Sequence, residues 1–255
     1  MTGGSKITGV VPEITDIRAN SIAIVAWDEG TGGQIHSWIE DTGYHVACFV
    51  HADDMPPNVD VAYERPRREA KTFDFPENNR FKGLPLISSR NWPTVLSQLG
   101  IDKALVMCGD QRERLRNIEL ARAHGITLVN AIHPTVTIMK DAIIHDNVAL
   151  FARAYVGYRA EIHSGVLINT GSQVDHHNVI HPCAHIDTGV TTAGNVVIER
   201  FARIHTGAKI INNIRIGEGT VVGAGALIIK HVPPRVTVVG VPARVIKHHD
   251  DAASD

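Results

Sequence analysis

Between Ile132 and about Val232 the chain places an aliphatic side chain at every sixth position, and few folds accept that period. Counting by six from Ile132 to Ile228 meets seventeen positions, of which sixteen are Ile, Leu or Val and one is Thr192. Four residues after each comes a mostly small side chain, Ala142, Ala154, Ala160, Ser172, Ala184, Ala202, Ala208, Thr220 and Ala226 among them. A helix repeats roughly every 3.6 residues and a strand every two, so neither produces this beat. A hexapeptide-repeat β-helix does. Three hexads make one triangular coil of about eighteen residues, with the beat residue inward on each flat face and the small residue near each corner. Thr192 is the one break in the ladder.

The chain before the repeat reads differently. SIAIVAW (Ser21–Trp27) is a buried-strand run, DEGTGG is a glycine-rich turn, Gln34–Asp41 has helical character and YHVACFV (Tyr44–Val50) is a second strand. That is a βαβ unit of a doubly wound sheet, whose ligands bind at the carboxyl ends of the strands, so Gly32, Gly33, Asp53 and Asp54 are expected to converge there. Residues 55–82 are rich in proline and charge and read as a surface insertion. GLPLIS, Trp92–Leu99, KALVMC (Lys103–Cys108) and the helix within Gly109–Gly125 follow, and Gly109 with Arg112 joins the same edge. Ile126–Ile132 closes the sheet and leads into the solenoid. Val232-Pro233-Pro234 is expected to end the ladder, because proline cannot pair into a further coil. The expected organisation is an arm over 1–20, an α/β domain over 21–131, a β-solenoid with its cap over 132–247 and a tail over 248–255.

Composition narrows the function classes. A formal net charge of −2 gives no basis for a nucleic-acid or membrane-surface partner. Cys48, Cys108 and Cys183 share no metal or disulfide spacing and read as reduced thiols. With no signal-peptide pattern and no apolar run long enough to cross a membrane, the expected location is the cytoplasm.

The stretch INTGSQVDHHNVIHPCAHIDTGVTTAGN (Ile168–Asn195), with the glycine-and-aspartate sheet before it and VVGVPARVI after it, resembles the sugar acetyltransferases of the PglD and NeuD type. The resemblance covers residues 21–247 apart from the insertion. It implies a small Rossmann-like parallel sheet followed by a left-handed parallel β-helix, acetyl-CoA as cosubstrate without a metal, a nucleotide-linked amino sugar as acceptor, and a homotrimer. On the family's pattern the catalytic histidine falls on His176 and the second histidine on His185. Asn169 falls near the sugar, Gly194 has its N–H facing the thioester, and Thr206 and Ala224 match acetyl-CoA contacts. Gly32, Gly33, Gln34, Asp53, Asp54, Gly109 and Arg112 match nucleotide-sugar contacts. His177 stands where the family has an acidic residue and is assigned to the acceptor side, while Asp175 keeps a carboxylate beside the base. Gln34 replaces a histidine in the glycine turn.

The chemistry fits these residues. Attack of an amine on a thioester needs a base for the departing proton and a donor for the oxyanion. His176 is the expected base, with Asp175 or a backbone group fixing its tautomer, and the Gly194 N–H the expected donor. His176 and His185 are half a coil apart and so on different sides of one prism; if both serve one site, two chains contribute. The expected acceptor is a 4-amino-4,6-dideoxyhexose nucleotide. A sugar hydroxyl, as in sialic acid O-acetylation, or a noncatalytic nucleotide-sugar scaffold are the alternatives. His145, His163 and His205 lie beside inward positions and read as a solvated face.

Overall fold

The computed structural model describes residues 9–28, 30–53 and 79–249, so Asp54, most of the 55–82 insertion and the end of the tail lie outside the described residues. Contacts divide the chain into two units. The first holds the chain up to Cys108 together with Glu119–Thr127, and the second holds Gly109–Ile118 with the chain from Leu128 onward. The helix Gln111–Ala123 is divided in this grouping, its residues up to Ile118 falling in the second unit and those from Glu119 in the first.

Ahead of the solenoid β1 (Ser21–Val25), α1 (Gly32–Ile39), β2 (His45–His51), β3 (Arg80–Phe81), β4 (Leu84–Ser88), α2 (Trp92–Gln98), β5 (Lys103–Val106), α3 (Gln111–Ala123) and β6 (Thr127–Leu128) follow in chain order. The sheet order is β3-β4-β2-β1-β5-β6. β4, β2, β1 and β5 are mutually parallel. β1 is buried along its whole length, as a strand covered on both faces must be. The order reverses at β1, which has β2 on one side and β5 on the other, and in open α/β sheets ligands bind beyond the carboxyl ends at such a reversal. Two features differ from expectation. The arm is tied at Val10, which exchanges backbone hydrogen bonds of 2.7 and 2.8 Å with Ser88. The last residues of the insertion form β3, antiparallel to β4. Both occupy β4, whose far side would otherwise be an unpaired edge.

The second unit contains the left-handed β-helix. Its strands are two residues long and each pairs in parallel with the one eighteen residues later, as in Leu150 with Ile168 and Ile168 with Ile186. The first face starts at Ala131–Ile132, the second at Thr137–Ile138 and the third at Ile143–Ile144. From Leu150 to Ile228 every beat side chain is at most 3 % exposed, whereas Ile138 in the first coil is 40 % exposed. The corners are made one residue earlier than the small side chains. From Ile138 to Val222 left-handed backbone recurs three residues after each beat, at Gly165, Gly171, Gly189, Gly207, Gly219 and Gly225 and also at Asn147, His177, Cys183, Asn195 and Asn213 among others. The small residue follows the bend and fills the corner from inside; Ala154, Ala160, Ala184, Ala202 and Ala208 are all buried.

Val232-Pro233-Pro234 does not end the ladder. Val232 bridges to Ile216 on the third face, the prolines cross Gly217, and Val236–Val239 returns to the first face parallel to Val221–Val222. The prolines fall in a corner, where no ladder hydrogen bond is asked of them. Termination comes from Arg244–His248, which pairs antiparallel with Val236–Val239 and closes the first face.

Candidate active site

His176 lies at the corner between the second and third faces, in the turn after Gln173–Val174. The residue eighteen positions on, directly next in the ladder, is Gly194. A methyl group on Gly194 would stand 2.1 Å from Cε1, 2.4 Å from Nε2 and 2.8 Å from Nδ1 of His176, so the imidazole occupies the space that a side chain there would fill. Gly157 serves the backbone in the same way, since a Cβ on it would meet the His176 nitrogen at 2.6 Å. The Gly194 carbonyl accepts from Asn213 at 3.1 Å, while its N–H has no acceptor among the described residues.

The partner of the His176 ring is His177. Their Nδ1 atoms are 3.1 Å apart, so one ring donates and the other accepts. The Asp175 carboxylate, expected to set the tautomer, instead accepts the backbone N–H of His176 at 2.7 Å. His177 has φ 57°, and this left-handed turn projects its ring back towards the base, with Tyr158 edge-on to it at 5.7 Å.

Thr192 shows why the aliphatic ladder breaks here. Its buried hydroxyl accepts the Asp175 N–H at 3.2 Å and a hydrogen bond from the Asn178 amide, and it donates to the Gln173 carbonyl at 3.3 Å. The Asn178 carbonyl oxygen in turn accepts from Val196 N–H at 2.6 Å. The interior thus pins the turn that carries the base from both ends. Thr192→Val keeps the shape, removes the hydroxyl and strands the Asn178 amide, so a loss of about 1–3 kcal/mol is expected in urea unfolding, with turnover falling further than the stability change explains. Unchanged turnover in a destabilised Thr192→Val protein would refute the positioning role.

Beside this corner a cavity of about 550 Å³ runs across the second face, lined by Tyr155, Gln173, Asp175, Thr191, Lys209 and Asn212 among others. Lys209 is an exposed cation in it that sequence reading missed; the signal was available, since Lys209 is eighteen residues beyond the outward Thr191. Thr206 and Ala224 are exposed at the corner on the opposite margin of the same face, and Asn169 is half-buried at that corner two and three coils earlier.

His185 belongs to the first face and is not at the His176 corner. It is 8 % exposed, and its Nε2 lies 3.0 Å from Asp187 Oδ1, while Nδ1 is buried with no hydrogen-bond partner among the described residues. His205 Nδ1 bonds the other oxygen of Asp187 at 2.8 Å. Burial pushes His185 below its ordinary value, and the nearby Arg114 and Arg203 charges act in the same sense, together outweighing Asp187. Burial would also raise Asp187, but the His185 hydrogen bond and the charges of His185, Arg203 and His205 hold it at about 2. Both shifts have one sign for stability: the unfolded chain binds protons that the folded one refuses. Unfolding midpoints are therefore expected to fall on acidification, first below the ordinary histidine value of 6.5 as His185 stays neutral, then from 3.8 down to about 2 as Asp187 protonates. Asp187→Asn should shrink the second decline; a profile identical to the parent would refute the assignment.

In the first unit Gly32 is demanded by a close approach, since a Cβ there would meet the Ala26 carbonyl at 2.1 Å. The Asp28 carbonyl accepts the Gly33 N–H at 2.9 Å, and its carboxylate accepts the Thr31 N–H at 2.7 Å. Gln34 is exposed at the start of α1. Asp53 follows β2 and pairs with Arg90 at 3.0 Å; Arg90, and His51 edge-on to Trp27, are carboxyl-edge residues that the sequence reading passed over. Gly109 and Arg112 belong to the second unit, where the Arg112 guanidinium lies 4.9 Å from the Phe201 ring centre and the neighbouring Gln111 amide donates to the Cys183 carbonyl at 2.7 Å.

No protein-family model and no curated protein matches the chain. Solved structures do. PerB from Caulobacter crescentus, in complex with CoA and GDP-perosamine, is 25% identical over 91% of this chain and 100% of its own, with a TM-score of 0.76. A histidine variant of the GDP-perosamine N-acetyltransferase of that organism, with the same two ligands, is 26% identical with the same coverage and score. The acetyltransferase domain of PglB from Neisseria gonorrhoeae, in complex with acetyl coenzyme A, is 26% identical over 89% of this chain and 99% of its own, with a TM-score of 0.71. All three of these structures hold CoA or acetyl-CoA, and two of them hold GDP-perosamine as well. Among the described residues no helix is long and apolar enough to cross a membrane.

Proposed function

We propose that this chain is an acetyl-CoA-dependent N-acetyltransferase acting on a nucleotide-linked 4-amino-4,6-dideoxyhexose. The observation that carries the reading is the stack of His176 on Gly194 at the margin of the second-face cavity, which sets a base beside an unengaged N–H donor. In the productive tautomer His176 donates from Nδ1 to His177, leaving the Nε2 lone pair to take the proton as the sugar nitrogen attacks the thioester carbon. The Gly194 N–H then stabilises the developing oxyanion, and the C–S bond breaks with the CoA thiolate leaving and taking up a proton. Lys209 supplies a positive charge along the cavity for a CoA phosphate, and Thr206 and Ala224 border its path. Asn169 and the glycine turn at Gly32, Gly33 and Gln34, with Asp53, Asp54, Gly109 and Arg112, are assigned to the nucleotide sugar.

His185 lies away from His176 in one prism. We therefore assign the complete site to a homotrimer in which neighbouring prisms share it, and an active monomer in ultracentrifugation would overturn that assembly. The test of function is CoA release from acetyl-CoA against GDP-, UDP- and dTDP-linked 4-amino sugars, beginning with GDP-perosamine because PerB binds it. Turnover on one of them is expected. Turnover only on sugar hydroxyls would replace the reading with O-acetylation, and failure to bind acetyl-CoA would replace it with a scaffold.

A further inference from the structure

The corner after the third face repeats outward as His145, His163, His181 and Glu199, one residue per coil. The His145 and His163 rings stack at 4.6 Å and 9°, and His163 and His181 at 5.2 Å and 14°. Glu161, two residues before His163, turns one carboxylate oxygen towards this column, 3.0 Å from His145 Nε2 and 3.3 Å from His163 Nε2. The three atoms lie within 4.8 Å of one another. A tetrahedral ion with bonds of about 2.0–2.2 Å has ligand-to-ligand edges of roughly 3.3–3.5 Å, so the two nitrogen-to-oxygen separations are near what such an ion imposes.

We propose that His145 Nε2, His163 Nε2 and Glu161 Oε1 form a binding site for one divalent transition-metal ion of the zinc type. Two imidazoles and one carboxylate favour zinc, copper or nickel over magnesium or calcium, which prefer all-oxygen shells. The partly exposed ligands admit the ion from solvent, and water completes its shell. His181 does not join the set, because its Nε2 turns 3.6 Å from Glu199. The site's purpose follows from its height in the solenoid. His145 belongs to the first coil and Glu161 with His163 to the second. The first coil is the weak one, with the inward Ile138 40 % exposed and the inward Ile132 and Ile144 only half-buried. An ion bridging the two coils opposes fraying at that end and takes no part in acyl transfer.

The test uses the full chain, stripped with a chelator and carrying His248→Ala and His249→Ala to remove the adjacent terminal histidines as a competing site. Zinc titrated against a chromophoric chelator is expected to show one equivalent bound, with affinity lowered at least about tenfold in His163→Ala and in the milder Glu161→Gln. Cobalt in place of zinc is expected to give the intense visible bands of four-coordination, lost in both variants. Circular dichroism identifies a variant that has not folded, and Glu161→Gln decides if His163→Ala does not. Zinc bound equally by parent and folded variants, or no zinc bound by the parent, would overturn the proposal.

Discussion

His176→Ala is expected to lower turnover of the accepted amino-sugar nucleotide by about 10²–10⁴-fold, the usual worth of a positioned general base. Stability should hardly change, because the ring is exposed and what it covers is backbone. Its partner explains what kind of base it is. His177 at 3.1 Å supplies an acceptor for Nδ1–H and so fixes the tautomer and orientation of the ring. His177→Ala is therefore expected to lower turnover while acetyl-CoA binding persists, because the ring loses the partner that orients it. A His176→Ala enzyme that retains parental turnover would remove His176 from the mechanism altogether.

Gly194→Ala is expected to cost about 10²-fold or more in turnover, since displacing a catalytic group by about 1 Å has consequences of that size. The added methyl would lie 2.1–2.8 Å from three ring atoms of His176, less than any tolerable contact, and the ring is the part free to swing away. Binding of acetyl-CoA should persist and the melting temperature should move little, because the backbone N–H and the surrounding ladder are untouched. The result separates two roles of the same residue. Loss of turnover with a displaced His176 resonance in NMR would assign the effect to the ring. Full activity in Gly194→Ala would show that the base is not held where the fold puts it.

These residues were unequally legible in the sequence. The six-residue beat announced the solenoid, and the eighteen-residue coil already implied that Gly194 stands over His176. The bend positions were less visible, because left-handed backbone at Asn147, His177 or Asn195 leaves no single residue type behind, whereas the alanines that follow are easily noticed. Thr192 was legible as an irregularity but not as a brace, since its partners Asp175, Asn178 and Gln173 are gathered only when one coil lies on the next. Asp175 was misleading for the same reason: its neighbour in sequence is His176, yet a carboxylate one residue earlier reaches the backbone N–H before it can reach the ring. Asp187 at the centre of His185, His205 and Arg203 needed burial, which spacing does not report. His145, His163 and His181 carried their signal openly in the eighteen-residue interval.

The stacking of His176 on Gly194 has a consequence for how such a chain can change in length. The two are neighbours along the prism axis, separated by about 4.8 Å of rise and by one whole circuit of backbone. Six or twelve residues gained between them would carry Gly194 to another corner and leave the ring beneath an ordinary side chain. Eighteen would restore the corner but lift the glycine one storey too high. Between Tyr155 and Leu227, which both line the second-face cavity, the chain therefore tolerates no change of length without parting the base from the residues assigned to acetyl-CoA.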